Sequence, residues 1–235
     1  MGEAVAEAVR IPCPDARGGS AAVDLLDADL HAPEGARGLV IFAHGSGSSR
    51  FSLRNRQVSR FLNEGWFATL LVDLLTQDEE RIDVRTAEYR FDIPLLGRRV
   101  IAATDWATGH DTVRGLPIGY FGASTGAAAA LIAAAARPAV SVVVSRGGRP
   151  DLAGEALSLV HTPTLLIVGG DDEPVSELNR AAMRRMRAPV ELAIVPHATH
   201  LFEESGALEE VQRLALDWFA HHMDRKTDGR LSGVQ

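Results

Sequence analysis

Short, nearly unbroken apolar runs alternate along this chain with longer segments whose apolar residues return every three or four positions, the mark of strands buried on both faces and of amphipathic helices. The runs predict strands at Val5–Ile11, Ala21–Leu26, Gly38–Ala43, Phe67–Leu74, Pro117–Phe121, Val140–Ser145, Pro163–Val168 and Val190–Val195. The periodic segments predict helices at Asn55–Glu64, Ile93–Thr108, Ser124–Ala136, Asp151–Leu159, Ser176–Met186 and Leu208–His222, with Pro94 and Asp151 suited to helix starts. Strand and helix alternate over most of the length, so an α/β protein with a largely parallel sheet is expected. The first two strands have no helix between them, only Arg17-Gly-Gly-Ser20, and predict an antiparallel hairpin at one edge. Between Leu75 and Phe91 no period is visible; a charged surface loop is expected there, with a flank of the ligand site as the second reading.

At 235 residues and 46% hydrophobic, the chain suits one domain over residues 1–224, with 225–235 reading as a flexible tail. The net charge of −7 and the scattered basic residues argue against nucleic acid or an anionic membrane as partner; small neutral or polar molecules fit better. Cys13 is the single cysteine, which excludes an internal disulfide and a cysteine-based zinc cluster. The first residues lack the basic start and apolar core of a signal peptide, and no run reaches the length of a membrane span, so a cytoplasmic location is expected.

The segment with most chemical content is Gly122-Ala-Ser-Thr-Gly126, at a switch from strand to helix. Small residues on both sides let the chain turn sharply and hold Ser124 at the strand tip, an arrangement that exposes a nucleophile. A serine hydroxyl needs an imidazole to take its proton and a carboxylate to fix that imidazole. Both types occur on later loops, in Gly169-Gly-Asp-Asp-Glu-Pro-Val175 and in Pro196-His-Ala-Thr-His-Leu-Phe202, which leaves Asp171 or Asp172 and His197 or His200 as candidates. An acyl-transfer site also needs N–H donors for the developing oxyanion. His44-Gly-Ser-Gly-Ser-Ser-Arg50 follows a strand, and the amides of Ser46 and Thr125 are the candidate donors, with His44 orienting the loop. That loop matches neither phosphate-binding glycine pattern.

HGSGSSR, GASTG, Val168-GGDDEPV and ATHLFEE together resemble the α/β-hydrolase superfamily, and most of all its dienelactone-hydrolase-like branch, from about Gly38 to the last helix. The resemblance implies an α/β-hydrolase fold with about eight strands, mostly parallel, flanked by helices. It implies Ser124 as nucleophile, Asp172 as acid and His200 as base, with Asp171 shaping a turn and His197 a loop residue. Dienelactone hydrolases proper use a cysteine where this chain has Ser124, so their substrate is not inherited. Hydrolysis of a small carboxylic ester or lactone through an acyl-enzyme is expected, without cofactor or metal, by a monomer or homodimer. Acyl transfer or peptide hydrolysis by the same groups, and an idle binding member of the fold, are the alternatives. Arg146 and Arg50 are candidate substrate-binding cations, with pairing to surface acids as the competing role. Only residues 146–162 separate two strands where many relatives insert a cap, so an open site without a cap domain is expected.

Overall fold

The computed structural model of the chain describes residues 6–16 and 23–223. The predicted start of the first strand, the hairpin link and the proposed tail lie wholly or partly outside these residues. Eight strands form one sheet: β1 (Glu7–Pro14), β2 (Val23–His31), β3 (Gly38–Ala43), β4 (Phe67–Val72), β5 (Ile118–Ala123), β6 (Val142–Arg146), β7 (Thr164–Gly169) and β8 (Val190–Val195). Their order across the sheet is β1-β2-β4-β3-β5-β6-β7-β8. β1 pairs antiparallel with β2 and β2 antiparallel with β4, and every later pairing is parallel. The expected edge hairpin is therefore present. β2 runs five residues beyond the predicted Leu26, continuing with Leu26, Ala28 and Leu30 buried on one face.

Parallel neighbours need crossovers, and the helices supply them. They are α1 (Leu53–Glu64), α2 (Gln77–Thr86), α3 (Ile93–Gly109), α4 (Thr125–Ala136), α5 (Glu173–Met183) and α6 (Ala207–Met223), with a 3₁₀ segment at Pro150–Leu159 broken at Gly154. Because strand side chains alternate, β3 sends Leu39, Ile41 and Ala43 into one core and Val40 and Phe42 into another. The first core lies under α3 and the alanine-rich α4, the second under α1 and α6. Alanine lets α4 sit close to the sheet, where nine of its twelve residues are buried.

The segment expected as a loop contains α2. Thr76 accepts the amide of Glu79, and the Glu79 carboxylate accepts the amide of Thr76, a reciprocal cap. Asp78, Glu79 and Glu80 occupy the positive end of the helix dipole. The buried positions of this helix are Glu79 and Asp83, so its period is carried by carboxylates and hydrophobicity does not reveal it. Glu79 meets the fully buried Arg99 of α3 at 2.5 Å, and Arg99 also bonds the Cys13 sulfur.

Candidate active site

All the expected site residues gather at the carboxyl ends of the strands. Ser124 follows β5 at φ 51° and ψ −122°, a conformation that a non-glycine residue holds only when its surroundings impose it, at about 1–3 kcal/mol. The imposing contacts are visible. Its amide donates to the Arg146 carbonyl at 3.2 Å, and its carbonyl accepts the amide of Arg149 at 3.0 Å. A side chain on Gly126 would collide with the carbonyls of Ala43 and His44, and one on Gly122 with the backbone of Ala127. Both glycines are thus required by packing, as the motif suggests.

Asp172 precedes α5 and His200 follows β8. Nδ1 of His200 donates to Oδ2 of Asp172 at 2.7 Å, which leaves Nε2 as the basic nitrogen. The Asp172 side chain is 13% exposed and that of His200 38%, so the carboxylate is sheltered and the ring is open to an incoming molecule. Ser124 and His200 flank the same stretch of backbone: a Cβ placed on Gly147 would stand 3.5 Å from Cε1 of His200. Asp171 and His197 are exposed and make no bond to this pair; the Asp171 amide closes a turn onto the Ala198 carbonyl. Among the described residues, no group of three or more His, Cys, Asp or Glu side chains could hold a metal ion.

The loop after β3 is fixed by His44, which is buried. Its Nδ1–H donates to the Gly45 carbonyl at 2.9 Å and its Nε2 accepts the amide of Leu74 at 3.0 Å. That pattern requires the neutral ring, and burial holds its pKa below the ordinary value. The Ser46 amide donates to Oγ1 of Thr125 at 2.8 Å, so this candidate donor has a partner in the chain, and the hydroxyl is a participant that the sequence did not suggest. Arg50 bonds Asp73 and lies 3.4 Å from Asp29, and its amide donates to Asp73 at 2.6 Å. Its charge is met by two carboxylates, and it ties the loop to β2 and to the residue that follows β4. Arg50 also borders a cavity of about 520 Å³ between this loop and α2, which Ser124, Asp172 and His200 do not line.

Arg146 behaves differently. It is 8% exposed, and its Nε and Nη1 are buried without a hydrogen-bond partner. Arg90, which no motif marked, is anchored by the buried Asp83 through Nε at 2.6 Å, and its Nη1 packs on the loop at Gly47. The 75–91 segment thus flanks the loop as well as forming a helix.

A central, mostly parallel sheet with a strained serine after β5 and a carboxylate–imidazole pair after β7 and β8 has the architecture of an α/β hydrolase. The chain belongs to the dienelactone hydrolase family, whose pattern it matches over residues 26–223. Its fold is similar to that of a dienelactone hydrolase from Anabaena variabilis, with a TM-score of 0.89, 52% identity, and 94% of this chain and 99% of that one covered. It is also similar to Est1E from Butyrivibrio proteoclasticus, at a TM-score of 0.73 and 19% identity over 92% of this chain and 98% of that one, a likeness of fold. Two Mycobacterium tuberculosis proteins provisionally named phosphoribosyl transferases are each 56% identical over 195 residues, 83% of this chain and 43% of theirs. The chain spans less than half the length of these curated relatives. Among the described residues, no helix is long and apolar enough to cross a membrane.

Proposed function

We propose that this chain hydrolyses a small carboxylic ester or lactone through an acyl-enzyme on Ser124. The observation that carries the reading is the 2.7 Å bond between His200 and Asp172 beside a serine in a strained turn. Asp172 holds the Nδ1 proton, so Nε2 of His200 takes the Ser124 proton as Oγ attacks the carbonyl carbon. The carbonyl π electrons move onto oxygen, and the amides of Ser46 and Thr125 donate hydrogen bonds to the oxyanion so formed. Collapse of the intermediate breaks the ester C–O bond, and the imidazolium protonates the departing alkoxide. Water, deprotonated by His200, then attacks the acyl carbon, the acyl carbon–Oγ bond breaks, and the imidazolium returns its proton to Oγ of Ser124.

The connection from β6 to β7 holds one 3₁₀ segment of ten residues, which favours an open site and small substrates. Phosphoribosyl transfer, named for relatives of which the match covers 43%, is not carried over to this chain. A fluorophosphonate probe tests the reading: covalent labelling lost in Ser124→Ala, with turnover of short-chain aryl esters or lactones, supports it. A folded protein that neither reacts with the probe nor turns over any ester favours a binding member of the fold. An added alcohol or amine that captures most of the acyl group favours transfer.

A further inference from the structure

Arg146 ends β6 as a cation that the described residues do not neutralise. A guanidinium cannot shed its proton to escape burial, and breaking or omitting its partner is what makes a buried charge costly. Burial, and secondly the positive charge of Arg54 on α1, bring its pKa down to about 10. Among the described residues, no carboxylate pairs with it. The neighbouring Arg54 is itself paired, its Nη1 donating to the Glu203 carboxylate at 2.8 Å. The Phe202 ring centre is 6.0 Å from the guanidinium carbon, at the outer limit of a cation–π contact. Two buried N–H-bearing atoms, Nε and Nη1, remain without acceptors.

The position of this charge is informative. Arg146 pairs with Ala123 across the sheet, and its carbonyl holds the Ser124 amide. Its side chain shares a face of β6 with Val142 and Val144, on the layer of α1 and Phe202. The next residue, Gly147, lies against the ring of His200 and that of Phe202. The cation therefore stands one strand over from the serine, on the side of the imidazole. Planar guanidinium recognises carboxylate and phosphate through paired N–H bonds, so the missing acceptors define the chemistry of what fits.

We infer that Arg146, with Arg54 beside it, receives a small oxyanion group, carboxylate or phosphate, carried by the ester that Ser124 attacks. The inference rests on the ester-hydrolase reading for the word ester, and on geometry alone for the anion. Binding is measured first in Ser124→Ala protein, with glutarate and inorganic phosphate as separate probes. One of them binds and raises the melting temperature, and Arg146→Gln in that background weakens its binding about tenfold or more, the loss expected for a charge-assisted pair. Binding of glutarate alone assigns a carboxylate, and of phosphate alone a phosphate. Arg54→Gln, on a partly exposed helix, weakens the same probe and serves as the second variant if Arg146→Gln does not fold. With Ser124 intact, the ratio of kcat/KM for hemiesters of dicarboxylic acids, or phosphorylated esters, to matched neutral esters falls by a similar factor in Arg146→Gln. Failure of both probes to bind, or equal binding by parent and variants, overturns the anion site. Anion binding that depends on Arg146 in a protein that labels with no fluorophosphonate overturns the hydrolase reading and leaves the anion site standing.

Discussion

Oγ1 of Thr125 accepts the amide N–H of Ser46 at 2.8 Å, joining the turn after β5 to the loop after β3 across 79 positions of sequence. In the proposed reaction the bond holds that amide in place until the ester's carbonyl oxygen arrives to share it. Thr125→Val keeps the shape and removes the acceptor, and kcat for a short aryl ester is expected to fall by up to about 100-fold with KM little changed. Thr125→Ser restores most of the loss. A rise in kcat for the valine variant would show that the hydroxyl obstructs the amide.

Asp172→Asn leaves the geometry in place and removes the charge that fixes the Nδ1 proton of His200. The expected loss in kcat is about 10³–10⁴-fold, as for the aspartate of a Ser-His-Asp triad. Asp171→Asn, whose side chain is exposed, leaves kcat near the parental value. Steady-state kinetics of the two variants separate the neighbouring carboxylates, and equal losses would remove Asp172 from its role.

His44 links stability to pH. Burial lowers its pKa from 6.5, opposed in part by its bond to Gly45 and by Asp73, so the folded protein keeps the ring neutral where the unfolded chain begins to protonate. Its contribution is complete above pH about 6.5 and declines as pH falls toward the lowered folded value, by at most about 1.4 kcal/mol per pH unit for one proton. Urea unfolding between about pH 5 and 7.5 should show that slope, and His44→Asn should flatten it. An unchanged slope in the variant would assign the pH dependence to other groups.

Glu79 caps α2 and neutralises Arg99, which has no exposed surface. Glu79→Ala leaves that cation with the more distant Asp24, at 3.9 Å, as its remaining carboxylate, a loss of up to about 3–5 kcal/mol in chemical unfolding. Glu79→Leu combined with Arg99→Met should recover much of it, because the pair is then replaced by apolar volume. A double variant as unstable as Glu79→Ala would show that the cap at Thr76 matters more than the ion pair.

The turn at Ser124 was legible because packing leaves no other choice at Gly122 and Gly126, and a motif written by steric exclusion survives as letters. The order of the serine, carboxylate and imidazole loops was legible for a similar reason, since each follows a strand that hydrophobicity marks plainly. α2 escaped because its inward face is Glu79 and Asp83, although Thr76 followed three residues later by Glu79 spells a capping box. The far half of β2 was readable in the alternation of Leu26, Ala28 and Leu30, interrupted by Asp27 and Asp29. Arg50 could not be assigned from sequence, because Asp29 reaches it from β2 and Asp73 from just beyond β4. Nor could Arg146, whose distinguishing property is the lack of a carboxylate around it, a property only of the folded chain.

The contact of Gly126 with the carbonyls of Ala43 and His44 welds the Ser124 turn and the loop that carries Ser46 into one mechanical part. A methyl group at residue 126 would wedge β3 away from α4 and carry the Ser46 amide off its target, so reactivity would collapse even with every polar group present. Side-chain exchange that spares this contact is therefore expected at partly exposed positions such as Arg54, and not at residue 126.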